Sequence, residues 1–130
     1  MNDAKAFEEF VKEKFGAASV IEVLHNTQAT RANILAKFKS FLIDNDNISD
    51  NGDAIIFFYA GHGNNPEANT PKGKVETICP HDERLEVDTR YIHGIPDFTF
   101  YRLFNQLAAV KGSNVVRLAF SDTCLCELIT

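Results

Sequence analysis

Asp53-Ala54-Ile55-Ile56-Phe57-Phe58-Tyr59-Ala60-Gly61-His62-Gly63 is the stretch on which the fold turns. A nearly unbroken apolar run of this length reads as a strand buried on both faces, and Gly61, His62 and Gly63 form a tight polar turn at its C-terminal end. Open parallel sheets collect ligands and reactive groups in the crevice beyond the carboxyl ends of their strands. A histidine between two glycines therefore stands where such a sheet carries chemistry, with main-chain N–H groups free of side-chain bulk on either side.

Working outward, residues 4–15 place Phe7, Phe10, Val11 and Phe15 on one helical face, with Asp3 as N-cap and Gly16 as the stop. Ser19 to Leu24 reads as a short strand, and Asn26 to Thr30 as a turn carrying a second cap. Ile34, Leu35, Phe38, Phe41 and Leu42 recur at helical spacing, which gives a second helix ending near Asn45. Asn45 to Gly52 is a loop, as is Asn64 to Gly73 with its prolines and asparagines. Thr77 to Cys79 is a very short strand stopped by Pro80, and residues 81–96 are irregular, anchored by Leu85, Val87, Ile92 and Ile95. Asp97 opens a third helix that ends at Lys111-Gly112, and Asn114 to Phe120 is the final strand. This alternation is that of an α/β layered domain with a mostly parallel sheet flanked by helices.

The chain has 130 residues, 45% of them hydrophobic and 11 of them Phe, which suits one domain with a single core. A net charge of −5 without any Lys/Arg run argues against nucleic acid or an anionic membrane as partner. No targeting segment or membrane-spanning run is present, so the default compartment is the cytosol. The three cysteines, Cys79, Cys124 and Cys126, lack the spacing of a disulfide framework.

The last strand delivers Ser121-Asp122-Thr123-Cys124 at its end, as the central strand delivers His62. If the two strands are parallel neighbours, a thiol and an imidazole open on one sheet edge, and His62 and Cys124 are expected side by side as a Cys/His dyad. The main-chain N–H groups of Gly63 and Cys124 are then the natural oxyanion donors. Blander readings stand beside this one. His62 alone could be structural, a lone cysteine at a strand end is more often inert core, and Asp3 serves equally as a plain helix cap. Cys79, His81, Cys124 and Cys126 could supply four zinc ligands, although one-residue spacing within each pair strains tetrahedral ligation.

Asn2-Asp3-Ala4, Ala29-Thr30-Arg31, the strand ending in Gly-His-Gly, Cys79-Pro80-His81-Asp82, Ile92 to Asp97 and the final strand ending in Asp-x-Cys together resemble the caspase-like domain of fungal caspases and metacaspases. The likeness runs along almost the whole chain. It implies a cysteine-type endopeptidase with His62 and Cys124 as catalytic residues, acting on peptide or protein substrates. It also implies cleavage after Arg or Lys, with Asp3 and Asp122 on positions that line the first specificity pocket. The chain departs from the family after Cys124, where Leu125, Cys126 and Glu127 replace the usual His-Ser-Gly, and Ala60 stands where many metacaspases carry a pocket serine. The acidic cluster that binds calcium in some members is not recognisable, so no metal or cofactor is expected. The family's sheet has a strand before the first helix and a smaller part after the nucleophile. Residues 1–130 are accordingly expected to form a partial domain, incomplete at both ends and of weak activity. A non-catalytic caspase-like fragment acting as an interaction or regulatory module is the rival reading, and neither fixes an oligomeric state.

Overall fold

The computed structural model describes residues 2–49, 52–64 and 76–121. In chain order the elements begin with helix α1 (Asn2–Phe15), a short 3-10 turn at Gly16–Ala18 and another at Asn26–Gln28. Helix α2 (Arg31–Lys37) follows and continues as a π-helical segment, Phe38–Ile43. The strands are β1 (Ile55–Gly61), β2 (Gly63–Asn64), β3 (Thr77–Ile78), β4 (Glu86–Val87), β5 (Arg90–Tyr91) and β6 (Ile95–Pro96). Helix α3 (Asp97–Lys111) and strand β7 (Val115–Ser121) complete the described chain.

β1 and β7 pair in parallel over seven residues, from Ile55 opposite Val115 to Gly61 opposite Ser121. Side chains alternate across a strand, so Ile55 and Phe57 share one face of β1 while Phe58 lies on the other. Phe57 meets an aromatic cluster from the helices. Its ring centroid is 5.7 Å from Phe38, 5.3 Å from Phe100 and 5.6 Å from Phe104, and Phe38 and Phe104 meet edge-on at 5.1 Å. Ile34, Leu42, Ile95 and Leu107 complete the buried core. On the opposite face Phe58 stacks on Phe7 of α1 at 4.1 Å. The result is a helix–sheet–helix sandwich, the α/β layering expected from the pattern.

The helix ends follow local chemistry. Thr30 accepts a hydrogen bond from the Asn33 N–H at its side-chain oxygen and caps α2. Gly112, at φ 84°, stops α3 in a conformation that costs other residues dearly, and its N–H returns to the Ala108 carbonyl. The buried Lys111 donates from Nζ to the carbonyl of Ile48, tying the 45–52 loop to the end of α3.

Several expectations need correction. Ser19–Leu24 forms no strand: it is extended at Ser19 and at His25, yet no ladder partner lies beside it among the described residues, and Val20 is 79% exposed. Asp3 is not a cap. It lies inside the first turn of α1, where its charge meets the positive end of the helix dipole. β1 is not buried on both faces, because only Ile55 is fully buried and Ile56 is exposed. The face of α1 is similarly incomplete, with Phe10 and Phe15 about half exposed while Phe7 does the packing. Leu85 and Val87 are exposed rather than anchoring, whereas Ile95 is wholly buried. They belong to a β4–β5 hairpin whose two turn residues, Asp88 and Thr89, both take positive φ, as a type I′ turn requires. The parallel part of the sheet is the β1–β7 pair, and the short strands pair antiparallel in the order β2-β3-β6. Asp122 to Thr130, and the 65–75 part of the Asn64–Gly73 loop, lie outside the described residues.

Phe38 is 3% exposed at the hub of the ring cluster. Phe38→Ala should cost about 3–5 kcal/mol by urea unfolding, a large-to-small core change. Phe15→Ala, at a half-exposed position, should stay within about 0.5 kcal/mol.

Candidate active site

His62 follows β1 without a gap, at the carboxyl edge where Gly61 lies opposite Ser121. Because the two strands run parallel and in register, Gly61 and Ser121 end them at the same edge of the sheet. Cys124 follows Ser121 at the third position, and Asp122 at the first; both lie outside the described residues. Of the expected site, His62, Gly63 and Asp3 are therefore in view, and the His62–Cys124 juxtaposition is not. His62 is the single residue between β1 and β2, and Gly63 opens β2, while Asp3 is exposed in the first turn of α1.

The turn is held from several sides. The Cys79 N–H donates to the His62 carbonyl at 2.9 Å, and β2 pairs antiparallel with β3 through Gly63 opposite Ile78. A bond from the residue after Ile78 to the residue before Gly63 marks a pair whose own peptide groups face away from each other. The N–H of Gly63 is thereby directed off β3. The hydroxyl of Tyr59 lies 2.9 Å from the His62 carbonyl and 3.0 Å from that of Cys79.

His62 and Gly63 line a cleft of about 500 Å³ together with Cys79, Pro80, His81, Glu83 and Arg84. The far wall is fixed to the start of α2. Asp82 accepts from the Arg31 N–H at 2.8 Å, the His81 N–H donates to the Ala29 carbonyl at 2.9 Å, and the Arg31 guanidinium donates to the Gly94 carbonyl at 2.8 Å. Arg84 takes φ 66° in this wall, a strained conformation for a residue with a side chain. Sequence reading passed over this wall as irregular. Its signal was present in the two motifs Ala29-Thr30-Arg31 and Cys79-Pro80-His81-Asp82, which touch each other.

Cys79 carries a thiol in the cleft wall, and its environment makes it a poor nucleophile. Burial, the hydrogen bond to Glu83 and the charge of Glu83 push it up to about 11. Tyr59 is pushed up to about 12, first by burial and then by its neighbour Cys79. Among the described residues no three His, Cys, Asp or Glu side chains converge as a metal site. No helix among them is long and apolar enough to cross a membrane.

Comparison with known proteins gives one family. The profile of the caspase domain matches residues 1–127, nearly the entire chain and including both His62 and Cys124. No curated protein and no solved structure matches the chain.

Both raised groups release their protons later in the folded chain than in the unfolded one, so stability falls as pH rises. The loss should run from about pH 9 to about 11 for Cys79 and from about 10 to about 12 for Tyr59. Peptide mapping after iodoacetamide treatment should find Cys79 slow at pH 7.5, and faster about tenfold per pH unit above that. Glu83→Gln should accelerate it by removing the charge and leaving only a weaker, neutral acceptor.

Proposed function

The chain belongs to the caspase-domain family of cysteine peptidases, and from that premise we propose a metacaspase-like endopeptidase that cleaves after Arg or Lys. The observation that supports this reading is the parallel β1–β7 pairing with Gly61 opposite Ser121, because it ends both strands at one sheet edge, one residue before His62 and three residues before Cys124 in sequence. Residues 1–130 are read as part of a caspase-like domain, acting on protein or peptide substrates in the reducing cytosol.

In this reading the Cys124 thiolate attacks the scissile carbonyl carbon, and the carbonyl π pair moves onto oxygen. The N–H groups of Gly63 and Cys124 receive that oxyanion. His62, carrying the thiol proton, passes it to the leaving amine as the C–N bond breaks. Water then attacks the thioester with His62 as base, and the C–S bond breaks to return the thiol. Asp122, with Asp3, presents negative charge to the basic side chain before the cleaved bond. Cys79 takes no covalent part, since burial and Glu83 keep its thiol protonated.

The test is the full chain assayed with fluorogenic peptides ending in Arg, Lys or Asp. Turnover of the basic peptides is expected, with loss of all of it in Cys124→Ala and His62→Ala. Asp122→Asn should lower kcat/KM on basic peptides by about 30-fold or more, the loss of one partner of a desolvated charge pair. Cleavage after Asp, or activity surviving Cys124→Ala, would overturn the assignment. Folded protein without Cys124-dependent turnover would instead identify a non-catalytic module.

A further inference from the structure

Tyr59 has no part in the chemistry above, yet its hydroxyl sits at the centre of the turn. It projects from β1 on the face of Ile55 and Phe57 and bends along its own strand to reach the carbonyl three residues on, at 2.9 Å. Its second contact is the Cys79 carbonyl at 3.0 Å, so one hydroxyl bridges the turn and the cleft wall. The path is open only because residue 61 is glycine. A Cβ at Gly61 would lie 2.5 Å from the Tyr59 oxygen and 2.8 Å from the ring carbon bearing it. Tyr59 and Gly61 thus form one unit: a ring over a bare Cα.

A trans peptide is rigid, with the carbonyl of one residue and the N–H of the next in one plane and pointing oppositely. Whatever holds the His62 carbonyl therefore aims the Gly63 N–H. The Cys79 N–H donates to that carbonyl, and the Tyr59 hydroxyl shares its one proton between it and the Cys79 carbonyl. The geometry points to Tyr59 as a positioning residue, whose hydroxyl, held over Gly61, fixes the His62–Gly63 peptide and so aims the Gly63 N–H at a developing oxyanion. The inference rests on the peptidase reading for the meaning of that direction, and on the structure alone for the direction itself. Burial keeps the hydroxyl a donor well above neutral pH, since its ionisation is pushed up to about 12.

Tyr59→Phe removes one oxygen and leaves the ring. In the unliganded chain, the Gly63 amide resonance should shift and that of Cys79 should follow, read by 15N-resolved NMR with distant core amides unmoved. With substrate, kcat should fall about tenfold at nearly constant KM, less than the 10²–10³ of deleting an oxyanion donor because the N–H is tilted rather than lost. An Arg-ending peptide aldehyde adds the thiol to its carbonyl, the S–H proton ending on the former carbonyl oxygen, which then occupies the oxyanion position. Its inhibition constant should rise by the same factor. Gly61→Ala, which evicts the hydroxyl, should reproduce these changes, and the double variant should be no worse than either single one. An unmoved Gly63 amide would overturn the inference, as would kcat and KM declining together with melting temperature. Wild-type protein that fails to bind the aldehyde through Cys124 would refute the peptidase reading instead. The Gly63 amide in Tyr59→Phe would still decide whether Tyr59 aims this peptide.

Discussion

The parallel pairing of β1 with β7 is the constraint from which the rest of the molecule follows. Seven residues matched without a bulge leave no freedom in where the two strands end, and both end at one edge. A slip of one residue would turn Phe57 away from Phe38, Phe100 and Phe104 and carry Phe58 off Phe7. The register is therefore held by aromatic packing on two faces, and the site inherits its position from the core. The turn at His62 is a consequence of that burial.

Local anchoring then converts an edge into a cleft. The Asp82 carboxylate at the start of α2 and the Arg31 guanidinium on the Gly94 carbonyl grip the 79–94 segment at two points. Cys79 carries the restraint on to the His62 carbonyl. Two positions that look unrelated in sequence, Arg31 and Asp82, are thus one support for the wall facing His62. The same wall keeps the Cys79 thiol protonated, through burial and the neighbouring Glu83.

Much of this was legible beforehand, and the parts that were not share a cause. Strong periodicity located α2, α3 and the two long strands, and Thr30, Lys111 and Gly112 marked helix ends, because those signals act within a few residues. The strand expected at Ser19–Leu24 failed because alternation shows only that a segment could join a sheet, not that a partner is present. The β4–β5 hairpin was missed because Asp88 and Thr89 occupy positions that normally advertise themselves with Asn-Gly; Thr89 stands at φ 64°, where threonine is rare. In the site, His62 and Gly63 stood out through their flanking glycines. Tyr59, Glu83 and the Arg31–Asp82 contact did not, since each acts through one specific partner, 51 positions away in the case of Asp82, that periodicity does not identify.

The central claim is that one sheet edge assembles a thiol–imidazole pair, and the most direct measurement is the distance between Cys124 Sγ and the nearer imidazole nitrogen of His62 in a crystal structure. The account predicts hydrogen-bonding reach or a single bridging water, on the order of 3–6 Å. A separation beyond about 10 Å, twice the spacing of neighbouring strands, or side chains on opposite edges of the sheet, would contradict it.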